Sequence, residues 1–85
     1  MPKAYNLTGG LKLVVEMRGQ YTITRAGKTL GSGSFWRGKN AAGDIATYCR
    51  VWDHNNVDLG INAVYFSDFK REVDWYWTHG EGKDL

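Results

Sequence analysis

The chain has one cysteine, no apolar run long enough to cross a membrane, no internal repeat and no low-complexity stretch. A lone Cys49 rules out an internal disulfide and suits a reducing compartment. The opening MPKAYNLTGG lacks the apolar segment of a secretory leader, so a cytoplasmic location is expected. Without repeats or long apolar segments, solenoids and membrane-spanning helices drop out. No pair of carboxylates stands out for acid–base chemistry, and no metal or cofactor set is complete, so a non-enzymatic protein without cofactors is expected.

What is present is aromatic and glycine-rich. Eighty-five residues make one domain with a single core, and four Trp within a 14% aromatic fraction supply much of its buried area. Net charge is only +2 but it is unevenly spread. Residues 1–52 carry eight Lys/Arg against Glu16 and Asp44, a net +6, and the remainder carries three against seven acids, a net −4. The basic part can seek phosphates or an acidic protein; the acidic part repels nucleic acid unless the fold turns it away.

Periodicity and punctuation outline the elements. In LKLVVEM (11–17) Leu11, Leu13, Val15 and Met17 share one face, which predicts a half-buried strand; YTITRA after the RGQ turn predicts its hairpin partner. TLGSGSFWR reads as a third strand whose glycines imply a bulge, strong twist or close backbone approach. IATYCRVW (45–52) fits a helical stripe or a strand, and its β-branched and aromatic residues favour the strand. INAVYF (61–66) is expected as the fifth strand. Ser67 as N-cap, Asp68 in the first turn, His79 in the last turn and Gly80 beyond it predict a helix over 68–79, with Phe69, Val73, Tyr76 and Trp77 inward. The expected fold is α+β: about five mostly antiparallel strands in a twisted sheet or partly open barrel, with this helix packed on it.

GSFWRGKN (33–40) spells a phosphate-binding loop almost to its last letter. Asn40 stands where Ser or Thr would hold Mg²⁺, Phe35 and Trp36 would crowd the phosphates, and Gly43 interrupts a helix starting at Lys39. It reads as the end of a strand and a loop. Cys49 with His54 or His79, and Asp53 with His54 and Asp58, lack the spacing of a nucleophile–base pair or a metal site.

Two surfaces remain. If 45–52 is a strand, Tyr48, Arg50 and Trp52 project from one face, and Trp36, Arg37 and Lys39 extend the same basic, aromatic character. On the helix, Trp75 falls outward between Arg71 and His79, with an Arg71–Trp75 stack as the local explanation. These eight residues are the candidate partner-binding set. The expected function is a protein-binding module that occupies a surface of a larger macromolecule, of which a small inhibitor or adaptor from a phage or other mobile element is one instance. The alternatives are a nucleic-acid-binding domain, with Arg25, Lys28, Arg37, Lys39 and Arg50 on phosphates, and a carbohydrate-binding module.

Overall fold

The computed structural model describes residues 3–85. Five strands succeed one another as a meander: β1 (Ala4–Asn6), β2 (Leu11–Met17), β3 (Gln20–Arg25), β4 (Lys28–Lys39) and β5 (Ile45–Asp53). Each pairs antiparallel with the next in the spatial order 1-2-3-4-5, so the sheet is open and β1 and β5 are its edges. One helix, α1 (Phe66–Thr78), follows. This is the expected α+β architecture, and the segment 45–53 is a strand. Among the described residues no helix is long and apolar enough to cross a membrane.

Two glycines decide where α1 lies. Alternation along β4 puts Gly31, Gly33 and Phe35 on one side and Ser32, Ser34 and Trp36 on the other. A Cβ at Gly31 would run into the carbonyl of Trp52 and lie 2.9 Å from the Trp77 ring, and one at Gly33 would lie 3.0 Å from Phe69. The rings of α1 therefore rest directly on the backbone of β4, as the GSG pattern implied. Leu30 is an extra residue in the β3–β4 ladder, between the pairs Ile23–Gly31 and Thr24–Thr29, and this bulge leaves its side chain buried. The hairpin turn just before it places both Ala26 and Gly27 at positive φ, the conformation that matches strand twist.

The core consists of Leu11, Leu13, Ile23, Leu30, Phe35 and Val51 from the sheet with Phe69, Val73 and Trp77 from α1. Burying each large side chain contributes roughly 1.5–3 kcal/mol, so the three helix residues anchor the layer. Tyr76, expected inward, is only partly buried. Two polar ties hold the C-terminal half of the helix. Asp74 accepts bonds from the Thr8 amide (3.1 Å) and hydroxyl (2.7 Å), and the Arg25 guanidinium donates to the Trp77 carbonyl near the negative end of the helix dipole.

Three expectations are corrected. INAVYF is not a strand: residues 61–65 run without a ladder from the sheet edge to α1, and Phe66 opens the helix. Its alternation is real, since Ile61 and Ala63 pack on the core while Asn62 and Val64 are exposed, but it records one-sided packing of a crossing segment. The fifth strand is instead β1, too short to show a period. The helix starts at Phe66 with Tyr65 as N-cap and no side-chain cap bond, so Ser67 lies inside the first turn. His79 is the C-cap, and Gly80 is needed for space rather than for left-handed backbone, because a Cβ there would lie 2.9 Å from the Trp75 ring and from the Tyr76 carbonyl.

Gly31→Ala should destabilise the protein by about 2–3 kcal/mol through overpacking against rigid neighbours. Ser32→Ala, one residue along on the open side, should change stability by no more than about 0.5 kcal/mol. Urea denaturation of the two variants measures both, and equal effects would contradict the placement of α1.

Candidate partner-binding surface

Among the described residues, the sheet face opposite α1 has no second layer. Small polar side chains, Thr22, Thr24, Ser32 and Ser34, pave its middle, and large ones gather at the β4–β5 end. There Trp36 stands directly opposite Tyr48, Ser34 opposite Arg50, and Ser32 opposite Trp52. The rings of Trp36 and Tyr48 stack with centroids 4.2 Å apart and planes 19° from parallel, yet they remain 47% and 38% exposed. Trp36 also has seats on the backbone. A Cβ at Gly38 would lie 2.8 Å from its ring, and one at Gly19 would lie 3.3 Å from its own Cβ. The ring pair is therefore held in place by the fold itself, and a preorganised surface of this kind would bind at a lower entropic cost.

Arg50 reaches the Asp58 carboxylate at 3.4 Å, both groups being largely in water. Asp58 arrives because the segment after β5 folds back along it: the Leu59 amide donates to the Val51 carbonyl and the Asp53 amide to the Val57 carbonyl. An exposed pair of this kind contributes little stability, so its effect is to orient the guanidinium. Together Ser34, Trp36, Tyr48, Arg50, Trp52 and Asn62 border a groove of about 370 Å³.

The other candidates lie elsewhere. Arg37 and Lys39 follow Phe35 at every second position and so belong to the helix-bearing side, where they flank exposed Ile45 at the tip of the β4–β5 hairpin. Arg71 pairs with Asp68 at 2.6 Å, and among the described residues no Arg71–Trp75 stack forms. Trp75, 57% exposed, leans over Gly80 and borders a separate hollow with Leu59, Tyr76 and His79. The cations considered for phosphate contacts are also dispersed. Arg25 is held at the end of α1, Lys28 begins β4 and Lys39 ends it, eleven residues or about 36 Å away along the strand.

Gly33, Gly38 and Lys39 all lie within β4, so no phosphate cradle forms. In the loop after β5, Asp53 accepts the amides of Asn55 and Val57 and Asp58 accepts that of Gly60; these carboxylates hold turns. Burial pushes the Cys49 thiol up, a bond from the Ala63 backbone pulls it partly back, and Asp58 raises it further. Its hydrogen is directed to the Ile61 carbonyl, 3.5 Å away. Sequence reasoning weighed Asp58 only as a metal ligand and missed its pairing with Arg50, and it missed the glycine seats of Trp36. The seat at Gly38 had a signal, a glycine two residues along the same strand face, whereas Gly19 meets Trp36 only across the sheet.

Comparison with family models, with curated proteins and with solved structures found no significant match, so the surface is read from its own geometry. Fold and surface define the class: a small α+β domain with one helix covering one face of an antiparallel meander and a fixed aromatic pair on the bare face.

A double-mutant cycle on Trp36→Ala and Tyr48→Ala should give a coupling energy of about 0.5–1.5 kcal/mol in folding stability, and a value near zero would mean that the stack does not form in solution. Because the thiolate is the reactive form and Cys49 is shifted upward, its thiol should react with Ellman's reagent more slowly in the folded protein than in denaturant at pH 8. The folded-state rate should climb as pH rises toward the elevated pKa. Equal rates in the two states would contradict the burial of Cys49.

Proposed function

We propose that the protein is a non-enzymatic binding module that occupies a surface of a larger protein or nucleoprotein, acting as an inhibitor or adaptor. The observation that carries this reading is the Trp36–Tyr48 stack, held on the bare sheet face with Arg50 and Trp52 beside it. Rigid Trp and Tyr rings with one Arg are the composition of interface hot spots, where a few residues supply most of the affinity. Charge on this face is sparse, with Lys12 in the ladder and Arg50 already paired to Asp58, which suits a mixed protein surface better than a run of phosphates. In a reducing cytoplasmic setting Cys49 remains a free thiol.

A nucleic-acid ligand is the second reading, and one observation favours it. The basic residues 1–52 build the sheet while the acidic remainder supplies α1 and the loops, so most of the negative charge is turned to the far side. Against it, the cations are scattered, and a single strand is tracked by a continuous basic groove.

The test uses immobilised wild-type protein and a Trp36→Ser/Tyr48→Ser variant, followed by titration of the protein that only the wild type retains. Each single Ser substitution should weaken that binding at least tenfold, while Trp75→Ala changes it less than threefold. Equal retention by wild type and variant would remove the sheet face from the site. In parallel, fluorescence anisotropy against single-stranded DNA, duplex DNA and RNA decides the second reading. Binding that survives physiological salt, with a salt slope lowered by about three units in the Arg37, Lys39, Arg50→Gln variant, would replace a protein partner with nucleic acid.

A further inference from the structure

The helix contacts along β4 give the molecule a direction. Phe66 packs on Phe35, Phe69 on Gly33 and Trp77 on Gly31, so α1 runs antiparallel to β4 and the β4–β5 hairpin extends past its N-terminus. At that extended end Arg37 and Lys39 stand beside Ile45, which is 65% exposed. Asp44 is the only carboxylate of the tip. The tip is held closed, because the Asn40 side-chain carbonyl accepts the amides of Ala42 and Asp44 and the Asn40 amide donates to the Asp44 carbonyl.

The other end of the molecule is built to opposite specifications. Gly31, where Trp77 rests, lies about 26 Å from Lys39 along the strand. Beyond the C-terminus of α1 is a hollow of about 720 Å³, walled by Leu59, Trp75 and Tyr76, with Glu81 and Asp84 on its rim against Lys83 and neutral His79. The residues after the helix shape it: the Gly80 amide donates to the Trp75 carbonyl, the Gly82 amide to the Tyr76 carbonyl and the Lys83 amide to the Gly80 carbonyl. A Cβ at Gly80 would lie 2.9 Å from the Trp75 ring, and one at Gly82 would lie 2.6 Å from the Tyr76 ring, so glycines seat both rings. Burial pushes the Tyr76 phenol up and the Glu81 and Asp53 carboxylates raise it further, which places this wall in a negative field. Among the described residues, neither Arg37 and Lys39 at one end nor Glu81 and Asp84 at the other form an ion pair.

We infer that the hollow receives the β4–β5 hairpin tip of a second copy, joining molecules head to tail. Ile45 would lie against Trp75 and Leu59, and Arg37 and Lys39 would meet Glu81 and Asp84, with a cation over the exposed indole adding a further attraction. The two ends complement one another in shape, in apolar surface and in charge: two cations against one carboxylate on the tip, two carboxylates against one ammonium at the hollow. Their separation prevents the contact from closing within one chain, so it forms only between copies. It joins two different patches, which leaves each pair with a free tip and a free hollow, and the series stays open. The contact is small and partly electrostatic, so it is weak and falls as salt rises. It uses neither the Trp36 and Tyr48 rings nor Arg50, and it does not rest on the binding role given to the sheet face.

Sedimentation equilibrium on the full chain tests it first: at low salt the weight-average mass should rise above the 9.6 kDa monomer as concentration approaches millimolar, and high salt should reverse the rise. Arg37→Ser with Lys39→Ser silences the tip, and Glu81→Gln with Asp84→Asn silences the hollow. Each variant alone should associate about tenfold more weakly than the wild type. An equimolar mixture of the two retains one intact tip and one intact hollow per pair, so it should form one-to-one dimers and nothing larger. In that mixture the indole N–H signal of Trp75 in the isotope-labelled tip variant should shift while that of Trp36 stays in place, with circular dichroism verifying that each variant folds. A constant monomer mass for the wild type, variants that associate as the wild type does, a mixture no tighter than its components, or a shift at Trp36 in place of Trp75 would overturn the inference. The sheet-face reading would stand or fall separately, on the Trp36 and Tyr48 variants.

Discussion

The structure depends on the absence of side chains at Gly31 and Gly33. A five-stranded meander of this length can bury only one face, and the helix that buries it must bring large rings close to the sheet. Trp77 and Phe69 do so by lying on the bare backbone of β4. With any larger residue at those positions the helix would have to lift away, and the fully buried set of Phe69, Val73 and Trp77 would lose its contacts. In a chain this small, where a few kcal/mol separate folded from unfolded, no other group of residues could supply the loss.

The same alternation that gives glycines to the buried side of β4 gives Ser32, Ser34 and Trp36 to the other. Trp36 is thus exposed as a consequence of how the core is built, and its pairing with Tyr48 follows from the β4–β5 register. Glycine is used on this side too: Gly38 lets the Trp36 ring lie flat along its own strand. Core and candidate surface are two faces of one strand, so substitutions that shift the register of β4 would disturb both together.

Much of this was legible in the sequence, because period-two patterns are strong when one face is buried. LKLVVEM, YTITRA and IATYCRVW each became strands, the glycines of TLGSGSFWR marked both the bulge and the close approach, and the face shared by Tyr48, Arg50 and Trp52 was correctly composed. What was illegible depended on contacts between distant residues. β1 has three residues and no period of its own. INAVYF alternates because it crosses the core, and alternation cannot distinguish a strand from an extended segment without a ladder. Ser67 has the chemistry of a cap, but Phe66 packs against Tyr5, Tyr21 and Phe35, and that packing draws the helix start ahead of it. Arg37 and Lys39 looked continuous with Trp36 along the chain, whereas the pleat sends them to the other side.

The most direct measurement of the central claim, that α1 packs on the glycine side of β4 and leaves the Trp36 side bare, is a proton NMR assignment of the glycine Hα resonances with their through-space contacts. Ring currents should shift the Hα signals of Gly31 and Gly33 well upfield, with cross-peaks to Trp77 and Phe69 respectively, while Ser32 and Ser34 show none to the helix. Unshifted glycines, with Trp77 or Phe69 contacting Ser32 or Ser34, would place the helix on the opposite face and contradict the account.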